Sequence, residues 1–231
     1  MTRASPGPTV AAMTSTPTRP RFVRLTGVAC LVGAAMMTIL ATATQVVQAS
    51  TDVPKDQWSY PWSSGTSISF SLVAAGSQLL LVVGVLGLRR SGVAGTTRTA
   101  GLALWAALAG TALIVIGHLA SIPIRDDLVD EGWPHVVEAV FGLGTVLFAV
   151  GFLVVGRATI RAGIWRDWRR FTPLATGAWS VVLIGLQLTP ALPTAVAVYA
   201  LSFLALGVAL STQPTPEPDD RAALAVQEQM A

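Results

Sequence analysis

Three ionisable side chains of the sequence lie where they could do chemistry in an apolar environment. His135 and Glu138 are three residues apart, which places both on one face of a helix. His118 lies near the end of the preceding apolar segment, which we expect to pack antiparallel to theirs. Two imidazoles and a carboxylate can bind a divalent transition metal, and the same groups can relay a proton. The pattern therefore makes His118, His135 and Glu138 a candidate metal site and a candidate proton site.

A structural explanation of the same residues stays open. His135 follows Pro134 at the predicted start of a helix, where polar side chains meet lipid headgroups. His118 can satisfy its ring nitrogens by hydrogen bonding to a neighbouring helix. Paired histidines could also ligate haem, but the two lie at the same predicted depth and nothing else in the sequence indicates a porphyrin.

The elements that must position these residues are long apolar segments. The chain has 231 residues, of which 52% are hydrophobic and 12% charged, against about 25% charged in a soluble domain. A membrane-spanning helix needs about 20 apolar residues, and a spanning segment must satisfy its own backbone hydrogen bonds. The sequence therefore predicts an all-α, polytopic transmembrane helix bundle. Its six predicted spans cover residues 25–48, 66–88, 99–121, 135–156, 171–189 and 191–210.

The basic residues predict an orientation for this bundle. Of the 15 Lys and Arg residues, only Lys55 and Arg125 fall outside if the N-terminus is cytoplasmic, as the positive-inside rule requires. We therefore predict a multi-pass protein of the plasma membrane with both termini in the cytoplasm. The predicted domain is 23–211, and the polar segments 1–22 and 212–231 are predicted to be disordered cytoplasmic tails.

The polar residues of the spans are concentrated in the predicted outer half. Polar side chains in spans tend to face the bundle interior or a wet cavity. Stripes of small residues on the third and fourth helices, such as Ala103 with Ala107 and Gly142 with Ala149, allow close packing. We therefore predict a ligand or proton pocket that opens outward. Its predicted residues are Gln45, Ser71, His118, His135 and Glu138, with Gln187 at the same depth.

The cytoplasmic loop 157–170 predicts contact with lipid headgroups. Tryptophan favours the headgroup region, and arginine interacts with anionic lipid. The predicted lipid-interface residues are Trp165, Arg166, Trp168, Arg169 and Arg170. The same segment could instead dock a partner protein.

Several classes of function are disfavoured. The HExxH, GxSxG and GxxxxGK[ST] motifs are absent from the sequence. Every segment between the predicted spans is shorter than the ~50 residues of a small catalytic domain. The basic residues form short clusters rather than a continuous stripe, so no nucleic-acid partner is predicted. The single cysteine, Cys30, lies in an apolar run and is predicted to be a packing residue.

Two stretches of the chain carry a resemblance. Residues 52–95, with DVPKDQWSYPWSSG and VLGLRRSGVAG, and residues 120–174, with ASIPIRD and RAGIWRDWRRFTPL, resemble multi-pass membrane proteins common in actinobacteria. The resemblance extends over most of the chain from the first to the last span. It implies a six-helix architecture, and it implies no activity, cofactor or site because that group is uncharacterised.

Three classes of function follow from the sequence. The favoured one is a non-enzymatic membrane protein that binds lipid or a membrane partner, including a second copy of itself. The first alternative is a small proton-coupled transporter with an outward-facing polar pocket, in which Glu138 carries the proton. The second is a membrane-embedded, metal-dependent enzyme with His118, His135 and Glu138 as ligands. The sequence does not specify a cofactor.

Overall fold

The computed structural model describes residues 20–187 and 189–212, which form six α-helices and one short 3-10 helix at Asp167–Phe171. The helices are α1 (Pro20–Gln48), α2 (Ser64–Ser91), α3 (Arg98–Ala120), α4 (Gly132–Ala162), α5 (Thr172–Leu186) and α6 (Leu192–Ser211). Each predicted span corresponds to one of these helices. The all-α prediction is confirmed.

Local signals in the sequence set several helix ends. Ser63 and Thr97 precede α2 and α3, and their hydroxyls accept hydrogen bonds from the backbone N–H groups three residues later. Such caps satisfy donors that have no partner inside the helix. Gly92 and Gly163 end α2 and α4 with positive φ angles of 70° and 65°, a conformation that glycine adopts without steric cost.

The six helices form a closed ring in sequence order. Each helix packs against the next one along the chain, and α6 packs against α1 to close the ring. Helix α2 also contacts α6 across the ring. We call this arrangement the six-helix ring. Because consecutive helices are antiparallel, the connections lie alternately at its two ends.

Glycines bring α3 and α4 into backbone contact. A Cβ atom placed on Gly110 would lie 2.5 Å from the Gly144 carbonyl oxygen, and one on Gly151 would lie 2.7 Å from the Ala103 oxygen. The predicted small-residue stripe of α3 is thus the contact face. On α4 the contact face is formed by Gly144 and Gly151, and the predicted Gly142 lies in open space.

Five helices are long and apolar enough to cross a membrane: α1, α2, α3, α4 and α6. Between 39% and 56% of each apolar window is buried inside the protein, so the remainder faces outward. The outward faces carry large apolar side chains, such as Ile39, Leu79, Leu143 and Leu201. A protein surrounded by water rarely exposes so much contiguous apolar surface, whereas lipid tails favour it.

Helix α5 differs from the other five. It has 15 residues, or roughly 22 Å at 1.5 Å per residue, which is short of the ~30 Å hydrocarbon core. The predicted fifth span of 171–189 is therefore longer than the helix that forms. The chain leaves the helix after Leu186 through hydrogen-bonded turns that precede Pro190.

Two other predicted boundaries also shift. Helix α4 continues to Ala162 rather than ending at 156, so Arg157 and Arg161 lie on its last turns. Helix α1 begins at Pro20, so residues 20–22 are helical rather than part of a disordered tail. The other residues of the predicted tails, except Thr212, lie outside the described residues.

The charged residues distinguish the two ends of the ring. Among the described residues, every acidic side chain except Asp167 lies at the end that carries the α1–α2, α3–α4 and α5–α6 connections. We call this the acidic end. Every described basic residue except Lys55 and Arg125 lies at the opposite, basic end.

Candidate functional site

A cavity of about 450 Å³ lies inside the six-helix ring, in its acidic half. All six helices and the α1–α2 loop contribute to its wall, which is mainly apolar. Representative lining residues are Met37, Trp58, Phe70, Gln78, Ile114, His118, Glu138, Phe141, Thr145, Phe148, Leu183, Gln187, Val196 and Tyr199. A volume of this size is typical of small-molecule sites.

Aromatic side chains close the cavity toward the basic end. Phe148 and Tyr199 line the cavity, and their ring centroids are 5.6 Å apart. Phe152 and Phe203 lie one helical turn further toward the basic end, and both are fully buried. We call these four residues the aromatic plug. Because leucine, valine and alanine fill the ring beyond it, the cavity ends blindly.

The two long connections at the acidic end pack against each other beside the cavity. The backbone N–H groups of Trp58 and Ser59 donate to the carbonyl oxygens of Asp127 and Arg125, at 2.9 and 3.1 Å. Ser64 also donates to the Asp126 carboxylate. These bonds hold the α1–α2 loop in place, so that the Trp58 side chain forms part of the cavity wall.

The short helix α5 leaves a step in the acidic rim of the ring. Gln187 follows the last residue of α5, and its Nε2 atom donates to the Thr145 Oγ1 atom of α4 at 3.4 Å. Thr145 lies roughly 20 Å along α4 from its first residue, Gly132. The first turns of α4 therefore extend past the end of α5, and we call this offset between the two helices the step.

Glu138 lies on the α4 face that looks into the step. It is seven residues before Thr145, a spacing that keeps both on one side of a helix. Its side chain lines the cavity and is 58% exposed. Its Oε2 atom is 3.9 Å from the Nδ1 atom of His135. The sequence predicted that Glu138 faces a pocket, and the structure places it on the cavity wall.

His118 also lies on the wall of the cavity. Its imidazole meets the ring of Phe141 edge-on, with centroids 5.0 Å apart. A Cβ atom on the neighbouring Gly117 would lie 2.8 Å from the same ring. The packing of Phe141 against α3 therefore fixes the position of the imidazole.

Three of the residues predicted for the pocket do not line the cavity. His135 is 60% exposed, because it lies on the first turn of α4 beyond the ends of neighbouring helices. Gln45 is exposed and accepts a hydrogen bond from Thr194 at the acidic rim. Ser71 is buried within α2 away from the cavity.

The predicted metal-binding set is not assembled in the structure. Among residues 20–187 and 189–212, no three His, Cys, Asp or Glu side chains lie close enough together to hold a metal ion. His135 and Glu138 are neighbours on α4, whereas His118 is packed against Phe141 inside the ring. The described side chains therefore offer no built site for a metal.

The pair of Gln78 and Tyr199 at the deep end was not predicted. Both side chains are buried and line the cavity, Gln78 from α2 and Tyr199 from α6. Neither the Tyr199 hydroxyl nor the Gln78 carbonyl oxygen has a partner within hydrogen-bond geometry, so they are neighbours rather than a bonded pair. The isolated polar positions were visible in the sequence, but no spacing rule connects residues 121 positions apart.

The predicted lipid-interface segment divides into exposed and buried residues. Arg166, Trp168 and Arg170 are exposed at the basic end, and Arg169 is half-buried. Trp165 contradicts the prediction of a headgroup contact, because it is 4% exposed and packs in the core. Cys30 is fully buried, and its thiol contacts the Phe203 carbonyl oxygen at 3.5 Å, as expected of a packing residue.

Comparisons of the chain with protein-family models, with curated proteins and with solved structures found no match.

Proposed function

We propose that this protein is a six-span integral membrane protein that binds a lipid-like molecule in the cavity of its acidic half. Its acidic end faces outward, and its basic end and both termini face the cytoplasm of a plasma membrane. The charge distribution supports this orientation, because arginine-rich connections are retained on the cytoplasmic side. Helix α5 crosses as a short span, for which local thinning of the bilayer compensates. We also propose membership of the actinobacterial group that the sequence resembles.

The observation that carries the proposal is the mainly apolar cavity inside the ring, which ends blindly toward the basic end. A cavity of about 450 Å³ with a mainly apolar wall favours an apolar chain over a polar solute. The aromatic plug leaves no route to the basic end, which favours binding over a through-channel. The step beside α4 gives such a chain a path from the surrounding lipid to the cavity.

A photolabelling experiment tests the proposal. Dodecanol that carries a diazirine near the end of its chain would be added to the protein in lipid nanodiscs, illuminated, and located by peptide mass spectrometry. We expect labels on Met37, Phe148 and Leu183, which line the cavity. Labels confined to the outward faces of the helices would contradict the proposal.

A blocking variant and a matched control sharpen the test. Ala41 of α1 lines the cavity and is 4% exposed, so Ala41→Phe adds a ring inside it. Ala35 lies on the outward face of the same helix, and Ala35→Phe makes the same change there. We expect Ala41→Phe to abolish labelling of the cavity residues and Ala35→Phe to leave it unchanged. Equal labelling of both variants would overturn the proposal.

Glu138 supports the transporter as the second candidate. A carboxylate on a cavity wall is a feature of proton-coupled carriers, but transport requires the aromatic plug to open. Flux of a labelled amine across proteoliposomes, abolished by Glu138→Gln while the cavity still binds dodecanol, would favour this candidate. Binding without flux in the unaltered protein would exclude it for that amine.

A further inference from the structure

The acidic end carries a negative field at the mouth of the cavity. The acidic side chains there are Asp52, Asp56, Asp126, Asp127, Asp130, Glu131 and Glu138. The opposing charges are those of Lys55 and Arg125, and Arg125 is paired with Asp126 at 3.3 Å. Such a field attracts cations and repels phosphate and carboxylate headgroups. It therefore disfavours anionic lipids and fatty acids as ligands.

Glu138 is the acidic side chain that lies on the cavity wall itself. Among the described residues it forms no ion pair with lysine or arginine, and its closest ionisable neighbour is His135. Its side chain lines the cavity and is 58% exposed, so its carboxylate is accessible. A carboxylate without a lysine or arginine partner on the wall of an apolar cavity can serve as the counter-ion of a positively charged headgroup.

Aromatic rings line the same cavity as this carboxylate. Phe141 lies one helical turn beyond Glu138 on α4, and Trp58 lines the cavity from the α1–α2 loop. The faces of such rings attract ammonium groups. The backbone N–H group of Trp58 donates to the Asp127 oxygen, which holds the loop that carries this ring beside the cavity.

Resting on the proposed binding function, we propose that the ligand is a cationic amphiphile with a single apolar chain. Its ammonium headgroup lies beside Glu138 in the step, between the carboxylate and the aromatic rings. Its chain extends into the cavity toward Phe148 and the aromatic plug. This orientation keeps the charge at the membrane surface and buries only the hydrocarbon.

A panel of three probes with the same chain tests the headgroup. Tritiated dodecyltrimethylammonium, dodecanol and dodecanoate would be titrated against the protein in phosphatidylcholine nanodiscs, at about pH 8, where imidazole is ordinarily uncharged. Empty nanodiscs give the partitioning background to subtract. We expect dodecyltrimethylammonium to bind about tenfold or more tightly than dodecanol, and dodecanoate to bind most weakly. Equal affinities of the cation and the alcohol would overturn the inference and leave the proposed function standing.

Two isosteric variants locate the effect. Glu138→Gln removes the charge on the cavity wall, and Asp130→Asn removes one at the same end outside the cavity. We expect Glu138→Gln to abolish the preference for the cation and to leave dodecanol binding unchanged, which also shows that the variant is folded. We expect Asp130→Asn to change the preference for the cation less than twofold, because solvent and salt screen a surface charge outside the cavity. Equal losses in both variants would overturn the site, and a protein that binds none of the probes would overturn the proposed function as well.

Discussion

In the basic half of the six-helix ring, Phe152, Phe203 and Leu206 fill the axis completely, whereas in the acidic half the same axis contains a cavity of about 450 Å³. Both halves are built from the same six helices and from largely apolar side chains. The difference begins at α5, which ends beside Thr145 of α4 and leaves the acidic half with one wall incomplete. The cavity therefore follows from a difference in helix length as well as from the identity of the side chains around it.

The two halves of the ring are also stabilised by different interactions. In the basic half, buried side chains interlock, and the ring centroids of the aromatic plug lie 4.5 to 5.8 Å apart. In the acidic half, the loops hydrogen bond to each other through Trp58 and Ser59. Side-chain packing stabilises the basic half, and backbone hydrogen bonds stabilise the rim of the acidic half. Substitution of a side chain should therefore destabilise the basic half more than the acidic half.

The largest expected effect is a difference in stability between a substitution in the basic half and the same substitution in the acidic half. Phe203→Ala removes a fully buried ring from the aromatic plug and should lower the free energy of unfolding by about 3–5 kcal/mol. Phe141→Ala makes the same change at the cavity wall, where one side of the ring already faces empty space. We expect Phe141→Ala to lower the free energy of unfolding by less than half as much as Phe203→Ala. Thermal unfolding in detergent measures both, and equal costs would contradict the contrast between the halves.

The next effect concerns the helix pair that both halves share. Gly110→Ala places a Cβ atom 2.5 Å from the Gly144 oxygen, so α3 and α4 must separate. We expect a loss of about 1–3 kcal/mol in unfolding free energy. In Gly101→Ala the new atom meets nothing within 4 Å, and the gain in helix propensity should stabilise the protein slightly. A tolerated Gly110→Ala would show that the close approach is not required.

A smaller effect tests the step as the path to the cavity. Gly142 lies on α4 between Glu138 and Thr145, and a Cβ atom there would meet nothing within 4 Å. Gly142→Trp should therefore fold normally, fill the step and slow photolabelling of Met37 by dodecanol several-fold. Gly76→Trp on α2, where Leu72 and Leu79 face outward, is the matched control. If the two variants label at the same rate, the chain enters by another route.

The smallest effect concerns the hydrogen bond that anchors the end of α5. Gln187→Leu removes the bond to Thr145, while the Thr145 hydroxyl keeps its bond to the Phe141 carbonyl oxygen at 2.8 Å. We expect a loss of about 0.6 kcal/mol, as is usual for hydrogen bonds between membrane helices. Unfolding measured by denaturant titration should show a small shift, and a loss above roughly 2 kcal/mol would mean that this bond holds the α4–α5 pair.

Much of the helical architecture could be predicted, because it depends on local properties of the chain. An apolar run long enough to span a bilayer must be helical, and the Pro190–Pro193 break divides the last run into two helices. The ends of α2 and α4, before Gly92 and Gly163, lie beyond the predicted ends at 88 and 156, because the prediction stopped each span at its first arginine. The end of α5 was placed three residues too late, since hydropathy continues through Leu188 while the backbone already turns.

The candidate site could be predicted only in part. His118 and Glu138 were expected to face a pocket because they share stripes with small residues, and both line the cavity. His135 is on the same predicted stripe as Glu138 but lies beyond the rim, where no neighbouring helix encloses it. Trp165 is of a residue type that favours the membrane interface and lies in an arginine-rich loop. It nevertheless packs in the core, because the loop folds back against the ring.

The sequence alone therefore determined the fold class, the number of helices and the division of charge between the two ends. These depend on the length of the apolar runs, on the proline break in the last run and on the order of charges along the chain. The tertiary structure decided the closure of α1 against α6, the offset between α4 and α5, and the cavity that Gln78 and Tyr199 both line. Those features depend on how far helices distant in sequence are offset along their axes, and that offset is set by side-chain packing between them.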